Sequence, residues 1–460
     1  MNDELSPKQV ERELLARWPE TRIEPSLVRM HALMDLLGEP QRAYPVIHIT
    51  GTNGKSSTAR MIDELLRSFG VRTGRFTSPH LSSIRERISF DGEPISEARF
   101  LRTYQEIKPY LELVDRGTGV PEDAQHVPVS FFEAMTAMAY AAFADAPVDV
   151  AIVEVGLGGA WDATNVADGK IAVITPIGID HAHLLGATTT EIAIEKSGII
   201  KPDSTSVMAP QEPDVAKILI EKAAAVGSVI ARAGVEFAVV DRQIAVGGQV
   251  LAIQGLNGTY ENLYFPLFGA HQAENAALAL ATTEALLAPG DGRPLNPELV
   301  EAAVAAMSSP GRLEIVRTSP TIIIDAAHNP HGMQASIAAL ADGFDFSRLI
   351  GVFAASSDKD VRGMLDLLEP VLDEIVITRN NSARSSDIDG LARIAVEYFG
   401  VDRVSAYAAL PEAIEAAVTL SEDGDHLSGA GVLITGSVYT AGDARLLLVS
   451  DRPKPWEEPL

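Results

Sequence analysis

The chain contains no cysteine. Disulfide bonds, thiolate zinc sites and cysteine nucleophiles are therefore excluded. Basic residues are scarce: 37 Lys and Arg stand against 63 Asp and Glu, which gives a formal net charge of −26. This balance argues against a general binder of nucleic acid or of anionic membranes. Apolar runs of transmembrane length are missing, and Met1 to Glu20 lacks the apolar core of a signal peptide, so we expect a cytoplasmic protein.

Apolar residues are abundant, and their distribution indicates several domains. The chain has 460 residues, 46% of them hydrophobic, which is too long for one ordinary core. Two helices and a break near Pro19-Glu20-Thr21 form a short leader, and Pro and Gly are dense between Pro289 and Arg312. We therefore predict a helical leader at 1–43, a phosphate-binding α/β domain at 44–308 and a second α/β domain at 309–460.

The stretch from Val46 to Ser57 has the pattern of a phosphate-binding turn. An apolar strand runs into glycines, then Lys55 and Ser56, and a helical pattern follows. In this arrangement backbone N–H groups and the helix N-terminus face the phosphate, and the lysine adds a full charge. The general P-loop pattern has glycine where Ile49 stands, so an ordinary glycine-rich turn with a surface lysine is the alternative.

Polar residues also close the neighbouring apolar segments. Glu154 ends the apolar run from Val148 to Gly156, which is typical of a strand in a parallel sheet. Ser78 and His181 follow two further predicted strands, and ligands of open α/β sheets bind at these strand ends. Carboxylate, imidazole and hydroxyl together predict a magnesium site. The alternatives are a solvated glutamate and a loop histidine. Arg85-Glu86-Arg87 is predicted to be a solvated run of charges.

The remaining segments predict an insert and a second sheet. Short alternating runs with hairpin signals from Ser228 to Leu267 predict an antiparallel flap on the first domain. The second domain alternates strands and amphipathic helices, which predicts a doubly wound sheet without a glycine phosphate loop, and a loose tail after Asp451. Its predicted strands are Thr321–Asp325, Leu349–Phe353, Glu374–Thr378, Arg403–Tyr407 and Gly431–Thr435.

Taken in order, the motifs of the chain resemble the dihydrofolate synthase/folylpolyglutamate synthase family of the Mur-ligase superfamily. The resemblance spans roughly Tyr44 to Leu446, and it implies a P-loop ATPase-type Mur-ligase domain followed by a Rossmann-like domain. It is carried by the segments Thr50–Lys55, Thr77–Leu81, Glu154–Gly156, Asp162–Asn165, Asp180-His181, Leu185-Gly186, Glu195–Gly198, Gly269–Gln272, Pro310–Arg312, Asp325–Pro330 and Ile434–Ser437.

The resemblance implies roles for nucleotide and metal binding. Residues of the turn cradle the phosphates of ATP, and residues of the second domain reach the nucleotide; these are Asn53, Gly54, Lys55, Ser56, Arg312 and Asp325. Mg²⁺ is bound by Ser78, Glu154 and His181, while Lys196, carbamylated in relatives, helps to bind a second Mg²⁺. Whether a monovalent cation also takes part is left open. Relatives often have glycine where Ser56 stands, and the serine adds a hydroxyl near the metal.

The resemblance also implies substrate contacts. Residues near the pterin substrate are Phe131, Phe132, Trp161, Asp162 and Ala163. His328 is a candidate to orient or deprotonate the incoming amine. Relatives often have a basic residue where Ala160 stands, so one charge is missing beside this loop.

The implied reaction is an acid–amino-acid ligation. ATP phosphorylates a carboxylate of dihydropteroate or folate, and the amine of L-glutamate attacks the acyl phosphate. Catalysis then consists of positioning and charge neutralisation by Lys55 and Mg²⁺, with Lys196 assisting. We expect a monomer. A Mur-type ligase acting on a UDP-linked precursor, and a nucleotide-binding regulatory protein without ligase activity, remain alternatives.

Overall fold

The computed structural model describes residues 6–19, 24–121, 127–290, 292–423 and 429–449. The chain divides into two units. Unit 1 comprises Met1–Gln243, Val250–Phe265 and Gln272–Met307, and unit 2 comprises Ile244–Gln249, Pro266–His271 and Ser308–Leu460. Each unit contains a sheet flanked by helices, so the predicted α/β class is confirmed. The tail predicted after Asp451 and part of the predicted break at Pro19–Thr21 lie outside the described residues.

The main sheet of unit 1 has the strand order β4-β3-β2-β5-β1-β6-β7-β8. The strands from β2 to β8 in this order pair in parallel, and β3 and β4 add an antiparallel edge. The central strand pairs Ile49 with Glu154 on one side and Thr50 with Ile174 on the other, which brings three carboxyl ends to one edge. The strands are β1 Val46–Thr50, β2 Thr73–Phe76, β3 Ile88–Phe90, β4 Glu93–Pro94, β5 Val150–Glu154, β6 Gly169–Ile174, β7 Thr205–Met208 and β8 Val229–Arg232.

The helices of unit 1 cover this sheet and include the predicted leader. Arg29 of the leader forms a buried ion pair with Glu133 at 3.0 Å, and the N–H of Phe131 donates to the carbonyl of Trp18 at 2.8 Å. The leader therefore packs on the start of α5. The helices are α1 Pro7–Leu15, α2 Val28–Leu36, α3 Lys55–Ser68, α4 Glu97–Asp115, α5 Phe131–Asp145, α6 Ala182–Leu185, α7 Thr189–Lys196, α8 Pro213–Val226 and α10 Pro297–Ala306, together with α9 Ala270–Leu287, whose first two residues belong to unit 2.

One part of the predicted flap belongs to the main sheet instead. Strand β8 pairs in parallel with β7, so the prediction of a flap starting at Ser228 is wrong there. The error has a physical reason: β8 lies at the edge of the sheet, and its half-exposed pattern resembles that of a hairpin strand. The rest forms a separate sheet of order β11-β10-β9, with β9 Ala238–Ala245, β10 Gly248–Gln254 and β11 Thr259–Phe265.

Unit 2 contains a sheet of order β12-β13-β17-β14-β15-β16. The five predicted strands are confirmed and pair in parallel, whereas β12 was not predicted and pairs antiparallel with β13. The strands are β12 Glu314–Thr318, β13 Thr321–Ile324, β14 Arg348–Phe353, β15 Glu374–Ile377, β16 Val404–Ala406 and β17 Ala430–Thr435. The helices are α11 Pro330–Gly343, α12 Val361–Leu368, α13 Ile388–Phe399, α14 Leu410–Glu422 and α15 Val438–Val449.

Among the described helices, none combines the length and apolar character needed to cross a membrane. The sequence-based boundaries at 43/44 and 308/309 stay predictions.

Candidate active site

The phosphate-binding turn follows β1 directly and is shaped by two glycines in left-handed conformations. Gly51 has a φ of +144° and Gly54 a φ of +89°. A Cβ on Gly51 would collide with the side chain of Thr175, and a Cβ on Gly54 would lie 2.7 Å from Oδ1 of Asn275. Gly54 is also the N-cap of α3, so the positive end of that helix dipole faces the turn. This is the local structure that phosphate binding requires.

Two lysines that are far apart in sequence converge on this turn. Nζ of Lys55 donates to the carbonyl oxygens of Gly51 at 3.1 Å and of Thr52 at 3.0 Å. Nζ of Lys196 donates to the same Gly51 oxygen at 2.8 Å. Burial of the Lys196 amine, assisted by the nearby charge of Lys55, lowers the pKa of Lys196 to about 7. The lysines provide local positive potential in a chain whose net charge would otherwise repel a nucleotide.

Three of the predicted residues meet at the end of β5. Glu154 is 1% exposed, and each of its carboxylate oxygens lies 2.9 Å from the hydroxyl of Ser56. The backbone N–H of Ser78 donates to Oε2 of Glu154 at 3.2 Å. Carboxylate and hydroxyl oxygens are the hard ligands that Mg²⁺ prefers, so these residues fit the metal that the sequence predicts.

His181, the other predicted metal ligand of this edge, follows β6 at the N-cap of α6. Its backbone N–H donates to Oδ1 of Asp180 at 2.8 Å, and its Nε2 lies 3.9 Å from the same oxygen. In the parts of the chain that the structure describes, no three His, Asp or Glu side chains are grouped closely enough to hold a metal ion. A magnesium site here would therefore need hydroxyl, water and phosphate oxygens as further ligands, as Mg²⁺ sites at nucleotides commonly have.

The loop 156–162, which follows β5, is shaped from one side by Asp162. Its carboxylate accepts the backbone N–H groups of Leu157 and Thr164, both at 2.9 Å, and the hydroxyl of Thr164 at 2.5 Å. Asp162 is buried, and this burial raises its pKa. Both oxygens of this predicted substrate residue are thus engaged by the chain itself.

Glu195 holds the same loop from the other side. Its Oε1 accepts the backbone N–H groups of Gly159 and Trp161, both at 3.2 Å. A Cβ on Gly159 would lie 2.9 Å from the carbonyl oxygens of Glu195 and Lys196, so the loop packs directly on the end of α7. The predicted substrate residue Trp161 therefore lies at the end of α7, which carries the lysine that reaches the phosphate-binding turn, whereas Ala163 is buried in the core that includes α5.

The two phenylalanines that are predicted to lie near the pterin substrate have different surroundings. Phe131 is 4% exposed, and the guanidinium of Arg87 lies 4.9 Å from the centre of its ring. The ring of Phe132 is only partly buried and lies against Gly156, where a Cβ would collide with it. Of these two, Phe132 is the residue better placed to face a ligand.

The charges of Arg85-Glu86-Arg87 are not a solvated run, and that prediction is wrong. Arg87 is 2% exposed and donates from Nε to Nδ1 of His80 at 3.0 Å. Glu86 accepts the backbone N–H groups of Leu81, Ser82 and Ser83 at 3.0 to 3.1 Å. These charges fold the loop that follows Ser78, because a carboxylate can satisfy several N–H groups of an irregular segment at once.

In unit 2, Asp325 follows β13 and organises its own surroundings. Oδ2 accepts the backbone N–H of Leu313 at 3.1 Å, and Oδ1 accepts that of Ala327 at 3.0 Å. The hydroxyl of Ser336 also donates to Oδ1, at 2.7 Å. Asp325 thereby joins the Arg312 segment to the segment that carries His328.

The other candidates of unit 2 lie near Asp325. Nη1 of Arg312 donates to the carbonyl of Gly311 at 3.2 Å, and Nδ1 of His328 lies 3.0 Å from the carbonyl oxygen of Ala326. His271 also lies within electrostatic range: burial lowers its pKa to about 4, the charge of Arg312 adds to this, and the charge of Asp325 opposes it. His271 lies in one of the family motifs, but sequence reasoning assigned it no role.

Comparisons with known proteins identify the family. Residues 127–283 match the Mur ligase middle domain, and residues 311–438 match the Mur ligase, glutamate ligase domain. The chain is 53% identical over 457 residues to the dihydrofolate synthase/folylpolyglutamate synthase of Mycobacterium tuberculosis, covering 96% of this chain and 94% of that protein. The chain belongs to the dihydrofolate synthase/folylpolyglutamate synthase family. The enzyme of that name from Bacillus subtilis is 33% identical over 430 residues, covering 92% and 95%.

Solved structures of this family have the same fold. Mycobacterium tuberculosis folylpolyglutamate synthase complexed with ADP matches with a TM-score of 0.91 at 52% identity, covering 97% of this chain and 99% of that one. Escherichia coli FolC in complex with DHPP and ADP matches with a TM-score of 0.82 at 28% identity, covering 97% and 99%. The predicted family and fold are confirmed, and the alternative of a ligase for UDP-linked precursors is not favoured.

Proposed function

We propose that this member of the dihydrofolate synthase/folylpolyglutamate synthase family is an ATP-dependent ligase that adds L-glutamate to a folate precursor. The acceptor is 7,8-dihydropteroate, the γ-carboxyl of tetrahydrofolyl-(poly)glutamate, or both. The observation that carries the proposal is the convergence of Lys55 and Lys196 on the Gly51 carbonyl, beside Glu154 at the same sheet edge. The two ammonium groups repel each other, and the negative charge of a bound nucleotide would attract both of them.

The reaction has two steps. A carboxylate oxygen of the acceptor attacks the γ-phosphorus of ATP, which forms an acyl phosphate and releases ADP. The amine of L-glutamate then attacks the acyl carbon, phosphate leaves and an amide remains. In this proposal Asn53, Gly54, Lys55 and Ser56 hold the phosphates, and no protein nucleophile is needed because the catalytic work is alignment and charge neutralisation.

Bound Mg²⁺ would supply charge neutralisation at the phosphate oxygens. Ser78, Glu154 and His181 are the residues that would hold it. A carbamate on Lys196 would contribute further oxygen ligands at a second site. The burial of Lys196 supports this, because a pKa of about 7 leaves much of the amine in the neutral form that reacts with CO₂.

Residues of unit 2 complete the proposal. Arg312 and Asp325 would act on the nucleotide side, Asp325 mainly by fixing the Arg312 segment through the N–H of Leu313. His328 would orient or deprotonate the incoming amine. The pterin side would be formed by Phe131, Phe132, Trp161, Asp162 and Ala163, among which Phe131 and Asp162 support the pocket rather than line it. A cytoplasmic monomer without nucleic acid or membrane partners is expected.

The test is product analysis with purified protein, ATP, Mg²⁺ and L-glutamate, offering dihydropteroate or tetrahydrofolate in separate reactions. We expect ADP release that requires both the pterin acid and glutamate, with the amide product identified by mass. A product only with dihydropteroate, or only with reduced folates, decides which activity is present. Failure with every acceptor would favour the regulatory alternative. A parallel reaction with a UDP-linked peptide acceptor tests the Mur-type alternative.

A further inference from the structure

His48, Thr164 and Asp162 form a buried chain of hydrogen bonds, here called the relay, that ends at the loop 156–162. Nε2 of His48 lies 2.8 Å from Oγ1 of Thr164, and this hydroxyl lies 2.5 Å from Oδ1 of Asp162. His48 and Thr164 are 0% exposed, and Asp162 is 3% exposed. His48 belongs to β1, which carries the phosphate-binding turn. The three side chains therefore connect the central strand of the sheet to the loop.

The positions of the hydrogens follow from the chemistry of the three groups. Asp162 accepts two backbone N–H groups as well, which identifies it as the ionised acceptor. The single hydroxyl hydrogen of Thr164 must then point to Asp162, so Oγ1 of Thr164 accepts the N–H of His48 Nε2. Nδ1 of His48 carries a lone pair that finds no partner within the described part of the chain.

The imidazole is neutral in this arrangement. Protonation would place a second N–H at Nδ1, where it would be a buried donor without an acceptor, and such donors are rarer than unpaired acceptors. Burial accordingly lowers the pKa of His48 to about 3, and the charge of Lys201 acts in the same direction. His48 thus provides a fixed donor at Nε2 throughout the physiological pH range.

We propose that His48 and Thr164 are positioning residues of the ligase: they orient Asp162, and Asp162 holds the loop 156–162 in the shape that receives the pterin acid. The link to the pterin acid rests on the proposed function. The link from His48 to the loop rests only on the hydrogen bonds described. If the Thr164 hydroxyl is removed, the His48 N–H and the Asp162 carboxylate each lose a partner in a site without water access.

The geometry allows the role of the Thr164 side chain to be tested separately from the role of the Thr164 backbone. The carbonyl of Thr164 accepts the hydroxyl of Tyr140 at 2.7 Å, which anchors the 3₁₀ helix Ala163–Val166 independently of the Thr164 side chain. Thr164→Val therefore removes the hydrogen bonds to His48 and Asp162, but it keeps the shape of the side chain and the backbone hydrogen bond to Tyr140. Thr164→Ser keeps the hydroxyl. At the other end of the relay, His48→Gln keeps an N–H donor near the Nε2 position. The side chain of His48→Asn is shorter, so its amide does not reach Thr164.

The first readout is independent of catalysis. Hydrogen exchange of the loop peptide, including the Leu157 amide that Asp162 accepts, should accelerate at least tenfold in Thr164→Val and His48→Asn. It should stay within twofold of wild type in Thr164→Ser and His48→Gln. Thr282→Val is a matched control for loss of a buried threonine hydroxyl, because Thr282 donates to Leu278 inside α9. Unchanged exchange in folded Thr164→Val would overturn the relay, whatever the enzyme's substrate.

The second readout separates positioning from mere folding. In Thr164→Val we expect KM for the pterin acid to rise at least fivefold while KM for ATP stays within twofold, with rescue in Thr164→Ser. A lower amount of active enzyme with both KM values unchanged would show that the hydroxyl contributes only to stability, and would overturn the positioning role. Inactivity of the wild-type protein with all pterin acids would contradict the proposed function, and the exchange experiment would still decide on the relay.

Discussion

The neutral, buried state of His48 predicts a specific dependence of stability on pH. In the unfolded chain a histidine titrates with a pKa of about 6.5, whereas burial lowers the pKa of His48 to about 3 in the folded protein. Between these values only the unfolded state binds the proton, so His48 destabilises the fold as the pH falls below 6.5. Linkage gives a loss of about 2 kcal/mol at pH 5 relative to pH 7.5. This value depends only on the unfolded pKa, provided that the folded pKa stays well below 5.

The substitution His48→Gln removes the titrating group and keeps the donor to Thr164. Urea unfolding of wild type and variant at pH 7.5, 6.0 and 5.0, followed by tryptophan fluorescence, to which Trp18 and Trp161 of unit 1 contribute, yields the stability difference at each pH. The difference should shift in favour of the variant by about 2 kcal/mol between pH 7.5 and pH 5. Thr164→Val, which keeps the imidazole, should retain the pH dependence of wild type.

A constant difference between wild type and His48→Gln, within about 0.5 kcal/mol across this range, would refute the reasoning. It would mean that His48 accepts a proton in the folded protein, and the hydrogen positions inferred for the relay would then be wrong.

Three further substitutions test the site and its support. Lys55→Ala should abolish ADP release and amide formation while the circular dichroism spectrum is unchanged, because the hydrogen bonds from Lys55 to the carbonyls of Gly51 and Thr52 stay within the turn and join no distant segments. Gly51→Ala should abolish ADP binding in calorimetry, and adding Thr175→Ala should not restore it, since the new Cβ would still lie 2.9 Å from the Thr175 carbonyl. Arg29→Met should destabilise unit 1 by about 3–5 kcal/mol in urea unfolding, and the double variant with Glu133→Leu should recover part of this loss, because no buried charge is left unpaired although the backbone N–H of Ser130 loses its acceptor.

Local patterns made the phosphate-binding turn and most of the strands predictable. The strand, the glycines and Lys55 are neighbours in sequence, so their geometry follows from the backbone alone. Lys196 is different: its helix was predictable, but its place at the Gly51 carbonyl depends on contacts across 145 residues of chain. Only the resemblance to a family suggested that role.

The failures of prediction have a common physical cause. Arg87 and Glu86 have the composition of an exposed segment. In the structure, however, Arg87 lies against the ring of Phe131, and Glu86 accepts three backbone N–H groups. Strand β12 follows a turn rich in Pro and Gly and is visible only through its pairing with β13. Burial of a polar residue depends on partners from distant segments, and periodicity within one segment does not contain that information.

Acidic residues of the two units divide into two groups by what they accept. Glu86, Asp162, Glu195 and Asp325 each accept at least two backbone N–H groups of irregular segments, so their negative charge fixes loop shape. Glu154 differs from them, because its carboxylate accepts the hydroxyl of Ser56, a residue of the phosphate-binding turn, together with the backbone N–H of Ser78. In Glu86, Asp162 and Asp325 both carboxylate oxygens accept backbone N–H groups, so an amide replacement there would turn its NH₂ toward a backbone N–H and distort the loop. Loss of activity in such a variant would therefore report a misplaced loop, whereas the same replacement at Glu154 would test the proposed role of that carboxylate as a magnesium ligand.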